Sequence, residues 1–165
     1  MKISLRLILV LIAVTGCTNL CTKDRKKMSA DDVVREYLEV AFNMQEVSQK
    51  RLLLQYTTGE LKTAIASAND ETIKEAYIRP RYRLLSMAIT ERRDMTPRES
   101  HISYILNYKE SSEDGTLENS AKVKTENTVA LVKEKGMWFI RGVLDNKTHI
   151  EFPLIKSSII KGKSK

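Results

Sequence analysis

The chain has 165 residues, of which 30 % are charged and 42 % hydrophobic, and its formal net charge is +7. This size and balance fit one globular domain with a core of its own, and the absence of a fixed-period repeat argues against a repeat array. Much of the positive charge lies near the two chain ends, where it indicates solvated tails and says little about the folded body.

The first sixteen residues have the features of a secretory signal peptide. Lys2 and Arg6 precede the apolar run LILVLIAV at residues 7–14, and the small residues Thr15 and Gly16 follow it. The run is too short for a mature membrane-spanning helix, which needs ~20 residues. A charged start, a short apolar core and small residues at its end predict an export signal over residues 1–16.

The end of this signal, VTGC at Val14–Cys17, resembles the lipobox of bacterial lipoproteins, although that family usually has Leu in place of Val14. The resemblance implies cleavage between Gly16 and Cys17, a diacylglyceryl thioether on Cys17, and acylation of the new N-terminus with a fatty acid such as palmitate. No other cofactor is predicted. The alternative is an ordinary signal peptide, cut near Thr15, that leaves the thiols free.

The second cysteine, Cys21, follows the bulky Leu20 and does not fit the acceptor position. Once Cys17 carries lipid, Cys21 has no partner for a disulfide within the chain. A structural zinc site needs about four ligands, and only His101 and His149 are available beside this thiol. We therefore predict no metal site.

Residues 17–28 are predicted to form the lipidated N-terminus and a basic tether. The residue after Cys17 is Thr18 and not the Asp that tends to retain such lipoproteins in the inner membrane, which favours the outer membrane, facing the periplasm. The basic cluster Lys23–Lys27 either attracts anionic lipid headgroups or is a solvated spacer.

The segment after the tether has the apolar spacing of amphipathic helices. The sequence SADD from Ser29 predicts a helix start, and Val33, Val34, Tyr37 and Leu38 follow at helical spacing. Helices are predicted at residues 29–44, 46–56, 57–68 and from 69 or 70 to Pro80, the third beginning with a capping box in TTGE at residues 57–60.

From Tyr82 the apolar period changes to two, which is typical of half-buried strands. In the second of these, Ile102, Tyr104, Leu106 and Tyr108 share one face. Four strands are predicted, at residues 82–93, 101–109, 121–133 and 137–145, joined by the link DMTPRE (94–99) and by turns at Asp114-Gly115 and Lys135-Gly136, with a bulge near Asn127.

Helices followed by an antiparallel meander predict an α+β fold over residues 29–155, in which N-terminal helices pack on a curved four-stranded antiparallel sheet, with a basic flexible tail at 156–165. The segments VVREYL, LLLQYTTGELKTAI and VALVKEKGMWFI resemble the nuclear-transport-factor-2-like superfamily, which implies a cone-shaped domain. A cystatin-like domain, with a helix across a curved sheet, is the alternative.

The resemblance implies that an enzyme of this superfamily would hold Asp, His or Tyr groups inside the cone. The candidates are His101, Tyr104, Tyr108 and Asp145, but His101 and Tyr104 point to opposite sides of their strand and Asp145 lies at the expected frayed end of the last strand. We therefore predict no catalytic residues. Tyr104 and Tyr108 are predicted as core residues or the lining of a pocket.

These features predict a membrane-anchored periplasmic lipoprotein that acts as a non-enzymatic binding or interaction module. Its predicted partners are the membrane, through the lipid anchor, and an envelope protein or small ligand. Nucleic acid is not an expected partner outside the cytoplasm. The alternatives are an enzyme of isomerase or hydrolase type that uses the cone pocket, and a purely structural envelope component.

Overall fold

The computed structural model describes residues 24–79, 82–110 and 121–151. Several sequence predictions therefore lie outside the described residues: the signal peptide 1–16, the cleavage site between Gly16 and Cys17, the lipid attachment at Cys17, the turn at Asp114-Gly115 and the tail 156–165. The predicted domain limits of 29 and 155 stay predictions. Residues 24–28, which the sequence assigns to the tether, already contact the domain, because Met28 is buried in its core.

The first half of the described chain is helical. The α-helices are α1 (Ala30–Phe42), α2 (Lys50–Leu54), α3 (Gly59–Ser67) and α4 (Asp70–Ile73), with a 3-10 turn at Val47–Gln49 and a π turn at Lys74–Ile78. Ser29 caps α1 through a reciprocal capping box with Asp32, as predicted. Asn69 caps α4 by accepting a hydrogen bond from the backbone N–H of Thr72.

The predicted capping box in TTGE is wrong. The Thr58 side chain does not cap α3 and instead donates a hydrogen bond to the Glu134 carboxylate at 3.1 Å. Thr57 is fully buried and forms a parallel bridge with Ile140. These two threonines therefore contact β-strand residues that are distant in the sequence, and the local capping box does not form.

Four antiparallel strands form one sheet in the order β1-β2-β3-β4. They are β1 (Tyr82–Thr96), β2 (Glu99–Glu110), β3 (Lys122–Glu134) and β4 (Met137–Glu151). The predicted link at 94–99 is only Pro97-Arg98, because pairing with β2 extends β1 to Thr96. The predicted end of the last strand near Asp145 is also wrong, because β4 remains paired with β3 as far as Glu151.

Bulges interrupt the two edge strands. Register shifts against β2 leave Leu85, Thr90 and Met95 as the extra residues of β1, and shifts against β3 leave Arg141 and Leu144 as those of β4. The bulge predicted near Asn127 therefore lies in the neighbouring strand, close to that position. Bulges bend a strand and increase its twist, so both edges of the sheet are curved.

The helices cover one face of the sheet, which we call the inner face. Its core joins the α1 residues Val33, Val34 and Leu38 to Ile102 and Leu131 of the sheet. A second apolar cluster lies among the helices themselves and contains Met44, Leu53, Ile65 and Ile73. These layers confirm the predicted α+β fold with N-terminal helices on a four-stranded antiparallel sheet.

The sheet has two ends, which organise the surface. The turns Pro97-Arg98 and Lys135-Gly136 lie at one end, which we call the proximal end. Tyr82, Lys122 and Glu151 lie at the other, the distal end. The N-terminal segment joins the proximal end, because the Arg25 guanidinium donates hydrogen bonds to the carbonyls of Gln55 (3.0 Å) and Trp138 (3.2 Å).

Candidate functional site

Three aromatic rings meet at the distal end of the sheet. Tyr108 lies 5.4 Å from Phe42 and 5.1 Å from Tyr82 between ring centroids, both in edge-to-face geometry. Phe42 and Tyr82 are 6.1 Å apart, so the three rings form a closed cluster. Such pairs are favourable beyond their buried area, and the cluster fixes the end of α1 against β1 and β2.

A cleft of about 360 Å³ opens beside this cluster. We call it the distal cleft, and it is lined by Leu85, Asn107, Tyr108, Lys122, Val123, Lys124, His149 and Glu151. Its volume lies within the range of small-ligand sites, ~300–1,000 Å³. Its charged lining groups are two lysines and one glutamate, so with the histidine and the apolar side chains the cleft suits a ligand that combines an apolar part with a negative charge.

Positive charge is concentrated around the distal cleft by the strand register. Arg83, Lys109 and Lys122 are directly opposite one another on three neighbouring strands. Like charges opposite each other destabilise a sheet, and Glu151, which is opposite Lys122 at the end of the row, offsets part of this cost. Two positions further along β3, on the same face of the sheet, Lys124 is opposite His149. Lys124 also forms an ion pair with Glu126 at 2.9 Å.

A second cleft of about 300 Å³ lies on the helical side of the same aromatic cluster. It is lined by two rings of the cluster, Phe42 and Tyr82, and by Asn43, Met44, Gln45, Tyr77 and Ile78. The aromatic cluster therefore has an accessible cleft on each side, and the distal end offers a broader binding surface than one pocket.

The phenols on the inner face lie in the core or pack against it. Tyr104 is only 7 % exposed, and burial raises its pKa to about 12. Burial raises the pKa of Tyr37 still further, with contributions from its neighbours Tyr77 and Tyr104. Both phenols stay neutral at physiological pH, whereas a general base needs a pKa near the working pH.

The structure brings some of the other predicted candidates together. Tyr104 and Tyr108 both pack in the inner-face core, and Tyr108 also lines the distal cleft. Tyr104 and Asp145 both line a further cleft of about 330 Å³. His101 lies on the outer face, the one opposite the helices, with its Nε2 atom 3.8 Å from Glu99. Asp145 is in the middle of β4, opposite Thr128, and its carboxylate is 3.6 Å from Lys147.

The sequence prediction missed most of the distal cleft. The sequence places Phe42 on a helix face and Tyr82 at the start of a strand, and no local motif marks Lys122, Lys124 or His149. The signal that could have found these residues is the strand register, because it shows which residues of neighbouring strands are opposite each other. The alternation of apolar residues shows only which face of a strand is buried. Within the described residues, no group of three or more His, Cys, Asp or Glu could hold a metal ion. No helix in the same ranges is long and apolar enough to span a bilayer.

No protein-family model matches this chain, and no curated protein is similar to it in sequence. Three solved structures resemble it in overall shape. The intermembrane space region of the chloroplast protein ARC6 has a TM-score of 0.48 and 13 % identity, covering 77 % of this chain and 99 % of its own. An Ntf2 like protein involved in plasmid conjugation has a TM-score of 0.45 and 12 % identity, covering 76 % of this chain and 50 % of its own. The VirB8 protein of Agrobacterium tumefaciens has a TM-score of 0.44 and 13 % identity, covering 74 % and 91 %.

The described residues form an α+β domain with a helical layer on one face of the sheet. A cleft with lysine and histidine side chains lies at its distal end, and the N-terminal segment is attached at its proximal end.

Proposed function

We propose that this chain is a lipid-anchored interaction module of the bacterial envelope, which binds an acidic segment of a partner protein in its distal cleft. The observation that carries the proposal is the juxtaposition of exposed Leu85 with Lys122, Lys124 and His149 in one accessible cleft, in which Glu151 is the one acidic lining residue. A carboxylate beside an apolar side chain matches that lining in both charge and polarity.

The anchoring part of the proposal rests on the sequence. VTGC at Val14–Cys17 follows an apolar run of the right length behind two basic residues. A single acyl chain holds a protein to a membrane only marginally, whereas two or three chains hold it stably. A triacylated Cys17 would therefore keep the domain at the membrane, and Thr18 in place of Asp after the acceptor cysteine favours the outer membrane, facing the periplasm.

Labelled palmitate tests the anchor. A bacterial host that processes lipoproteins should incorporate it into the wild-type chain and not into the Cys17→Ala variant. The Cys21→Ala variant is the matched control and should be labelled like the wild type. Label that persists after Cys17→Ala, or wild-type chain without label, would contradict the anchor.

Site-specific photo-crosslinking tests the cleft. A photoreactive residue at position 85, where Leu85 is 48 % exposed, should give a discrete adduct in the native cell. The same residue at exposed Glu60 on α3 is the control and should not give that adduct. The double variant Lys122→Glu, Lys124→Glu should abolish the adduct, because it reverses the cleft charge.

If the adduct forms equally from positions 60 and 85, or survives the charge reversal, the cleft is not the binding site. In the alternative, an enzyme acting within the cone, a phenol that served as general base on the inner face would need a pKa near neutrality. The raised pKa values of Tyr37 and Tyr104 argue against those two groups in that role.

A further inference from the structure

The proximal end carries a basic surface that has no part in the distal cleft. It combines residues from three chain segments, all of them exposed, and we call it the proximal basic surface: Lys26, Lys27, Arg98, Lys133 and Lys135. The acidic residues of the same segments are Asp24, which pairs with Lys27 at 3.6 Å, Glu134, which accepts a hydrogen bond from Thr58, and Glu99, which pairs with Arg141 at 2.8 Å. Cations therefore outnumber acids on this surface.

Direct contacts bring the three segments together. The backbone N–H of Lys133 donates to the carbonyl of Arg98 at 2.8 Å, which joins the two hairpin turns. The Lys133 ammonium lies 5.6 Å from the Trp138 ring, and Arg25 binds the Trp138 carbonyl at 3.2 Å. Met95, the bulged residue beside the β1–β2 turn, is 52 % exposed and adds an apolar side chain to this end.

Arg25 also shortens the path from the lipid to the domain. Its guanidinium lies 4.6 Å from the Tyr56 ring centroid and 5.4 Å from that of Phe139, in addition to its two carbonyl contacts. The chain from Cys17 to Arg25 can span at most about 26–29 Å. A tether that ended at Ser29 could span about 40–43 Å. The attachment therefore keeps the proximal end close to whatever holds Cys17.

We propose that the proximal basic surface docks on anionic lipid headgroups, so that the domain stands on the membrane by its hairpin turns. Each basic residue near an anionic surface strengthens membrane attraction about fivefold. The paired length of β4, from Met137 opposite Glu134 to Glu151 opposite Lys122, is about 40 Å, so the distal cleft would project by that distance into the periplasm. This orientation rests on the lipid anchor of the proposed function.

Energy transfer to labelled lipids tests the orientation. The lipidated full chain, in a Cys21→Ser background, receives one fluorophore at Thr96→Cys or at Ser86→Cys. Both positions are exposed and lie on the outer face of β1, opposite Asn107 and Glu99 of β2 and therefore about 26 Å apart along the strand. The protein is reconstituted into vesicles of phosphatidylcholine alone or with 30 % phosphatidylglycerol, roughly the anionic content that attracts polybasic segments. The acceptor is on the lipid headgroups.

On phosphatidylglycerol vesicles, transfer from position 96 should exceed transfer from position 86 severalfold. The triple variant Lys26→Glu, Lys133→Glu, Lys135→Glu should remove most of that difference, and so should salt at about 0.5 M, because screening shortens the reach of surface charge. The matched control, Lys109→Glu, Lys122→Glu, Lys124→Glu, changes the net charge equally at the distal end and should leave the difference intact. Circular dichroism confirms that each variant is folded.

Equal transfer from both positions on vesicles that retain the protein would overturn the orientation while leaving the anchor standing. The same holds if the difference survives the proximal triple variant. Protein that does not stay with either kind of vesicle, and whose mass lacks the diacylglyceryl group, would overturn the anchor and the orientation together. The two failures are therefore distinguishable by mass spectrometry of the same sample.

Discussion

Replacing Arg25 with alanine removes the contact that holds the N-terminal segment to the domain. The side chain makes two hydrogen bonds to backbone carbonyls and stacks on Tyr56 and Phe139. Hydrogen bonds from charged donors contribute ~1.5–3 kcal/mol each when buried, and cation–π contacts ~0.5–1 kcal/mol at exposed sites. One hydrogen bond is solvent-exposed and the other half-buried, which places the total loss at the lower end, about 2 kcal/mol.

For a domain of this size, such a loss lowers Tm by about 6–10 °C. Urea denaturation of Arg25→Ala should show the same loss of unfolding free energy, and hydrogen exchange at residues 25–28 should become faster. Arg25→Lys keeps the charge but lacks the planar fork that reaches two carbonyls, so it should lose more than half of the stabilisation. Lys26→Ala is the control, since its side chain makes none of these contacts. Unchanged stability and unchanged exchange in Arg25→Ala would refute the attachment.

Three further predictions concern the turn, the core and the pH dependence. Lys135 has a left-handed φ of +49° ahead of Gly136, so Lys135→Asn should raise the free energy of unfolding by about 0.5–1 kcal/mol in urea denaturation, and a loss would contradict the turn. Ile102→Ala should cost about 2–5 kcal/mol because Ile102 is fully buried, whereas Ile105→Ala, half-buried on the outer face, should cost clearly less. The raised pKa of Tyr104 means that folding favours the neutral phenol, so its contribution is intact below pH 10 and is lost as the pH rises through about 12. Tyr104→Phe should therefore reduce the slope with which the free energy of unfolding falls at alkaline pH. An unchanged slope would show that the pKa of Tyr104 is the same in the folded and unfolded states.

Local patterns in the sequence predicted the elements whose formation depends on near neighbours. The helix after Ser29 follows from its capping box and apolar spacing, and the strand around Tyr104 follows from strict alternation. The Lys135-Gly136 turn follows from its glycine. In each case the determining residues lie within a few positions of the element they form.

Features that depend on pairing between distant residues were not predicted. The last six residues of β4 show little alternation, and their strand conformation comes from pairing with β3. The distal cleft joins residues from Leu85 to Glu151, which only the register of four strands brings together. Arg25 looks like part of a polar tether because its partners, Gln55 and Trp138, are 30 and 113 residues away.

A row of polar side chains on the inner face fixes the register in which β3 pairs with β4. Thr148 donates to Asn146, Asn146 to Asn127, and Asn127 to Thr125, the last of these at 3.0 Å. Asn127 and Asn146 are directly opposite each other in the register. A slip of one residue would turn one asparagine to the opposite face and leave the other buried without its amide partner, at a cost of about 1–3 kcal/mol. An apolar pair would tolerate the slip better, so the asparagines trade some stability for a single alignment of two long strands. The same register places Lys124 opposite His149 in the distal cleft, so a mispaired β4 would also change the charges that a ligand meets there.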